Sequence, residues 1–176
     1  YRLAYVYLGH KRGGLIFATV GACAGFGAIC GSSVATAATM ARIALPEMLS
    51  RGYAKPLAAG SIAAGGTLGM IVPPSVVMIL YAILTENSII ALFLAAVIPG
   101  LMAVVFYFVA VAIVVKRNPE VAPLGRQADW GERRRVTMQS WAVVLLAFVV
   151  SGGIYSGVFT VSEAASVGAA VALLLA

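Results

Sequence analysis

The stretch Gly65-Gly-Thr-Leu-Gly-Met-Ile-Val-Pro-Pro-Ser75 sets a glycine-rich, proline-broken backbone inside an uncharged run, residues 56–85. Proline has no N–H and its ring displaces the carbonyl four residues back, so Pro73 and Pro74 would free the C=O groups of Gly69 and Met70. In hydrocarbon each unpaired carbonyl costs several kcal/mol, and such a break persists only where protein, water or a bound ion satisfies it. A broken membrane helix therefore marks a candidate ion or substrate site.

That the run lies in a membrane follows from composition. Of 176 residues, 62% are hydrophobic and only 10% charged, against about a quarter charged in a soluble domain. The chain reads as an all-α integral membrane protein. Its net charge of +6 does not point to nucleic acid, because the basic residues fall between apolar runs, where they set topology. Cys23 and Cys30 stand seven residues apart in one apolar run, about 10 Å along a helix. That is too far for a disulfide, so both are expected as free thiols. The chain opens on Tyr1 and ends inside an apolar run at Ala176, with no recognisable signal peptide, so both ends read as cuts through a longer protein.

Five uncharged stretches divide the chain: 13–41, 56–85, 87–115, 136–162 and 164–176. About 20 residues cross the hydrocarbon, so the first three exceed one straight span. For 13–41 two readings compete: one tilted span with a small-residue packing face, or a re-entrant hairpin with its tip at Gly31–Ser33. The hairpin lets Arg2, Lys11, Arg12, Arg42, Arg51 and Lys55 share a side with Lys116, Arg117, Arg126, Arg133, Arg134 and Arg135, as the positive-inside rule requires. A re-entrant hairpin over 13–41 is therefore expected. The organisation expected is then a first part, 1–115, holding the hairpin about 13–41, a broken helix about 56–85 and a helix about 87–115 kinked at Pro99-Gly100. A basic cytoplasmic linker, 116–137, follows. The region 138–176 opens a second membrane half, with a glycine-rich corner at 151–157 and a last helix capped by Thr160 or Ser162, Glu163 lying in its first turn. Trp130 and Trp141 suit the membrane interface.

The order of Gly31-Ser-Ser-Val-Ala-Thr-Ala37, Pro46-Glu-Met48, Arg51-Gly-Tyr53, Gly65–Ser75, Gly152-Gly-Ile-Tyr-Ser-Gly-Val-Phe-Thr160 and Ser162-Glu-Ala-Ala165 resembles the large membrane subunit of tripartite ATP-independent periplasmic (TRAP) transporters, the DctM-like proteins. The resemblance covers nearly the whole chain. It implies sodium-coupled secondary transport (symport) of organic acids such as dicarboxylates across the bacterial inner (cytoplasmic) membrane. The partners it implies are a periplasmic substrate-binding protein and a small membrane subunit. The fold implied is an inverted-repeat transporter, each repeat with a re-entrant hairpin and a broken helix, of which this chain resembles the first repeat and the start of the second. With the second hairpin and second broken helix missing, the chain reads as a fragment. Val161 stands where the family usually has proline, and Cys30 where a small polar residue is common before the tip.

Sodium takes oxygen ligands, and hydroxyls with backbone carbonyls suffice where no counter-charge is at hand. The resemblance puts the ion between hairpin tip and broken helix. On this chain that means the Ser32 and Ser33 hydroxyls with the carbonyls of Gly66, Gly69, Met70 and Val72, in the segment closed by Pro73. No cofactor is expected beyond Na⁺ as coupling ion. Helix N-termini attract anions, so the half-helix after Ser33 is expected to face a substrate carboxylate, with Ser33, Val34, Thr36 and Pro74 as its substrate-binding set. By residue type alone the same serines also fit a helix-packing contact, bonded back to carbonyls four residues earlier. A non-transporting membrane scaffold is a second reading. An intramembrane serine hydrolase is the third, and it fails because a nucleophilic serine needs a base in reach, whereas His10 lies more than twenty residues away. The chain is not read as an enzyme. His10 is expected solvated at the membrane edge, and Glu47 and Glu86 in loops.

Overall fold

The computed structural model describes all residues except 1, 11, 125–128 and 176, and all side chains in those except 143, 161, 174 and 175. Lys11 and Arg126, both expected on the basic side, lie outside the described residues. The chain forms two compact units, Tyr1–Arg133 and Arg134–Ala176. In order the helices are α1 (Arg2–Leu8), α2 (Gly14–Cys30), α3 (Ser33–Ser50), α4 (Lys55–Ile71), α5 (Val76–Leu84), α6 (Ile89–Arg117), α7 (Trp130–Gln139), α8 (Trp141–Tyr155) and α9 (Val161–Leu175), with a 3₁₀ turn at Pro119–Val121.

Two local signals make the first reversal. Gly31 ends α2 at φ +65°, a left-handed conformation that costs a glycine little. Ser32 is extended and caps α3, its Oγ accepting the Ala35 N–H at 3.4 Å. The chain then runs back along itself: Thr19 Oγ1, early in α2, lies 4.0 Å from Met48 Sδ, late in α3. The Leu15 N–H donates to Tyr53 Oη at 3.3 Å. The second leg does not stop at 41, as expected, but continues through Arg42 and Pro46 to Ser50. Arg42 sits on the exposed face, where a charge breaks the apolar run in sequence without breaking the helix.

Against this hairpin lies α4, and glycine decides how closely. A Cβ on Gly65 would stand 2.9 Å from Cys23 Sγ, and one on Gly69 would press on Ser32 and Thr36. A Cβ on Gly27 would stand 2.6 Å from Gly69 Cα, and one on Gly66 2.7 Å from Ala37 Cβ. These spacings of four along both helices are the small-residue contact by which membrane helices approach without a hydrophobic driving force. The pairings rise together on α2 and α4 and fall on α3, so α4 runs parallel to the first leg and antiparallel to the second.

At Val72–Ser75 the helix breaks, and α4 and α5 meet with a bend of 40°. The Pro73–Pro74 peptide is cis. Helix α6, 29 residues long, is the one described helix long and apolar enough to cross a membrane alone. It is continuous through Pro99, and Gly100 lies 3.5 Å, measured from its would-be Cβ, from the Ile71 carbonyl at the end of α4. Thr67 on α4 and Tyr107 on α6 share a hydroxyl hydrogen bond of 2.8 Å. Much of α5 and α6 is exposed and apolar, including Leu84, Ile98 and Phe106, as a lipid- or protein-facing surface requires.

The opposite end of the unit gathers the basic residues. Arg51 pairs with Glu47 and donates to Tyr5 Oη at 2.7 Å. Tyr53, buried there, donates to the Pro123 carbonyl at 3.4 Å, while the Ala54 N–H donates to Val121 O at 3.2 Å. Arg12 and Leu124 form an isolated antiparallel bridge. The region 116–137, expected as a plain linker, is thus partly built: its first residues strap the hairpin foot, and α7 occupies its end. His10, expected solvated, is half-buried in the tight turn between α1 and α2, where its Nδ1 is covered and unpaired among the described residues.

In the second unit α8 and α9 pack through buried Ile154 and Ala164. The corner falls at Gly157, φ +73°, at the end of the stretch expected to turn, since α8 runs on through Gly152 and Gly153. Gly153 leaves room for the Phe159 ring. Glu163 accepts from the Thr160 N–H and Oγ1 at 2.8 Å each, and its own N–H donates to Thr160 Oγ1 at 3.3 Å, a reciprocal cap of the helix start.

Candidate functional site

The hairpin tip and the helix break touch. The Gly31 carbonyl accepts the Val76 N–H at 3.1 Å, so the tip caps the start of α5. A Cβ on Gly31 would stand 3.0 Å from the Pro74 carbonyl oxygen and 3.3 Å from Ser75 Cα. Positive φ and this close wall together leave room only for glycine there. Across the contact, Ser32 offers its carbonyl to both the N–H and the Oγ1 of Thr36, at 3.0 and 2.7 Å.

Four of the expected residues lie at this junction: Ser32 and Ser33 at the tip, Gly69 against Ser32, and Pro74 over Gly31. The Ser33 hydroxyl makes no hydrogen bond among the described residues, while that of Ser32 is engaged in the weak cap already noted. Because Pro73 and Pro74 lack N–H groups, the carbonyls of Gly69 and Met70 have no donor four residues on. Among the described residues neither they nor the Ile71 carbonyl accepts a bond from beyond the helix. Val72 ends α4, its N–H donating to Leu68 O at 2.8 Å.

The other assignments divide. Gly66 lies inside α4, where its carbonyl belongs to the helical ladder and its missing side chain admits Ala37. The Met70 side chain lines a separate apolar cavity with Ile71, Val77, Met78, Tyr81 and Leu92. Val34 is 77% exposed. Thr36 is fully buried, and its hydroxyl donates to the Ser32 carbonyl, which braces the tip. Gly69 has ordinary helical geometry, and close approach, not an unusual φ, is what demands glycine there.

One residue escaped the sequence reading. Ser75, 1% exposed at the start of α5, has a hydroxyl with no hydrogen-bond partner among the described residues. A buried unpaired hydroxyl costs about 1–3 kcal/mol, so it asks for a ligand. The signal was available, since Pro-Pro-Ser before an apolar run is a helix-start pattern that places the serine at the break.

The oxygens at this junction are all neutral. Among the described residues no three His, Cys, Asp or Glu side chains cluster to hold a metal. Hydroxyls and freed carbonyls suit a monovalent hard cation stripped of water, and offer no general base to a serine.

The whole chain, residues 1–176, matches the family described as tripartite ATP-independent periplasmic transporter, DctM component. Similar proteins include the C4-dicarboxylate TRAP transporter large permease protein DctM of Pseudomonas aeruginosa, 43% identical over 164 residues, covering 92% of this chain and 38% of that protein. The protein of the same name from Vibrio cholerae is 38% identical over 99% of this chain and 38% of its own length. The ectoine/5-hydroxyectoine TRAP transporter large permease protein UehC of Ruegeria pomeroyi is 36% identical over 96% of this chain and 39% of its own. The chain therefore spans well under half the length of these relatives. All are named as transporter permeases, not enzymes.

Proposed function

The chain belongs to the DctM component family of tripartite ATP-independent periplasmic transporters, and from that membership we propose that it is part of a large permease that imports small organic acids with sodium. The single observation that carries the ion reading is the junction of tip and break, where the Gly31 carbonyl accepts the Val76 N–H, the buried Ser75 hydroxyl has no partner among the described residues, and Pro73 and Pro74 leave the Gly69 and Met70 carbonyls without donors four residues on. On this reading Na⁺ is taken there as transported cargo, bound by Ser32, Ser33, Ser75 and the carbonyls from Gly69 to Val72. Filling the junction tightens tip against break. The names of the relatives favour C4-dicarboxylates as the first substrates to try.

The same reading makes the α2–α3 hairpin re-entrant, with α4–α5 as one broken span and α8–α9 as the opening of an inverted second repeat. The membrane is the bacterial inner membrane, and the partners are a periplasmic binding protein and a small membrane subunit. The apolar exposed faces of α5 and α6 suit lipid, that subunit or the rest of the permease.

The decisive measurement is uptake of labelled succinate into liposomes holding the full-length permease with its membrane partner and binding protein. Uptake driven by an inward sodium gradient, and not by potassium, is expected. Ser33→Ala should raise the sodium needed for half-maximal uptake about three- to tenfold, a cost of roughly 1 kcal/mol for one ligand. Ser32→Ala should do at least as much because it also removes a helix cap. Uptake indifferent to sodium would overturn the sodium coupling, and no uptake under any gradient would return the protein to the scaffold reading.

Topology supplies a separate check. Cysteine labels at Lys11, Arg51 and Arg126 should react from the cytoplasm and one at Asn87 from the periplasm, as the basic residues demand. Arg51 and Lys11 on opposite faces would rule out a re-entrant hairpin.

A further inference from the structure

We propose that the cavity between α2, α4 and α6 is a binding slot for an acyl chain of an anionic phospholipid, with the headgroup held at its mouth by Arg117 and Lys55. The cavity has a volume of about 180 Å³, and its walls include Val20 on α2, Gly60 and Ala64 on α4, and Tyr107, Ala110 and Val114 on α6. Its polar atoms are all engaged. Tyr107 bonds to Thr67, and Ser61, which also lines it, donates to the Ala58 carbonyl at 2.8 Å. Water needs two or more polar partners to stay in such a space, and a cation needs oxygens, so neither is held. A hydrocarbon chain is.

The slot has a direction. Helices α4 and α6 run antiparallel, so Pro56 and Val114 line one end, and Tyr107, bonded to Thr67, lines the other. The end lined by Pro56 and Val114 is the basic end of the unit. On α6 the lining positions 107, 110, 111 and 114 continue at helical spacing to Arg117, and Lys55 immediately precedes Pro56 at the start of α4. Both are exposed, and neither has an ion-pair partner among the described residues. The N-terminus of α4 adds its partial positive charge at the same place. Basic pockets between membrane helices on the cytoplasmic side recognise anionic headgroups in this way. Charge thus selects a lipid over a neutral helix as occupant.

Gly60 makes the slot testable, because a side chain added there meets nothing within 4 Å and would point into open space. The full-length permease, purified in mild detergent and stripped of lipid, is offered dioleoylphosphatidylglycerol or dioleoylphosphatidylcholine, and retained lipid is read by native mass spectrometry. The wild type should keep phosphatidylglycerol in preference. Arg117→Gln and Lys55→Gln should each weaken phosphatidylglycerol about fivefold, from the roughly 1 kcal/mol that one basic residue contributes at a membrane surface, and leave phosphatidylcholine unchanged. Gly60→Leu should reduce both lipids, and Ala110→Leu, filling the slot from the other wall, should repeat the effect if Gly60→Leu fails to fold. Unaltered phosphatidylglycerol binding in the filled-slot variants overturns the proposal, as it would if a protein segment occupied the slot. Equal affinity for the two lipids in the wild type, or in Arg117→Gln relative to wild type, also overturns it.

Discussion

Gly69→Val in the full-length permease is expected to cut transport by more than about tenfold, while the protein still inserts. A Cβ at Gly69 would stand 2.6 Å from Thr36 Oγ1 and 2.8 Å from the Ser32 carbonyl oxygen. Neither neighbour can yield cheaply, since Thr36 Oγ1 donates to that carbonyl at 2.7 Å and the carbonyl also accepts the Thr36 N–H. The helix α4 must instead back away from the hairpin, which overpacking data put at about 1–3 kcal/mol or more. The same displacement parts Gly69 from Gly27 and moves the freed carbonyls away from the hairpin tip at Ser32. Gly25→Val, on the exposed face of α2 where a Cβ meets nothing within 4 Å, is the control and should transport normally. Succinate uptake together with thermal melting in detergent decides it. Gly69→Val protein with the uptake of Gly25→Val would mean that the hairpin–α4 contact is not part of the working site.

The second large effect separates a ligand from a packing defect by its sign. Ser75→Ala removes a buried hydroxyl that has no partner among the described residues. Without sodium, the change relieves an unsatisfied polar group, worth about 1–3 kcal/mol, and the melting temperature should rise. With sodium, the variant loses a ligand. The stabilisation that an ion confers on the folded state grows with its concentration over Kd, so the sodium-induced rise in melting temperature seen in the wild type should shrink, and half-maximal uptake should require about tenfold more sodium. A Ser75→Ala protein whose sodium titration matches wild type, by melting and by uptake, would leave Ser75 as packing alone.

The elements were legible where chemistry is local. Pro73-Pro74 broke the helix, and Ser32 and Thr160 took cap positions as their side chains favour. Boundaries set by charge were less secure. Arg42 ended the apolar run but not the helix, because one exposed position on a helix face accommodates a charge. The region 116–137 read as a linker because its composition is polar, yet Tyr53 and Ala54, some seventy residues earlier in sequence, hold its first residues to the hairpin foot. No local pattern announces a hydrogen bond over that separation.

The same division runs through the candidate site. Its oxygen chemistry, a serine-bearing tip and a backbone without donors, follows from residue types alone, because a proline frees a carbonyl whatever surrounds it. That tip and break meet follows from nothing local: the Gly31 carbonyl reaches the Val76 N–H, and Gly27 meets Gly69, across more than forty residues. A membrane protein with a broken helix, a glycine-serine turn and clustered basic residues was therefore readable from residue order alone, since hydropathy, capping and proline chemistry act within a few residues. Which glycines serve contact rather than φ, the bracing by Thr36 and the buried Ser75 hydroxyl without a partner among the described residues emerge only from packing. Close approach and burial are properties of two segments at once, and they exist only after the hairpin and α4 have packed.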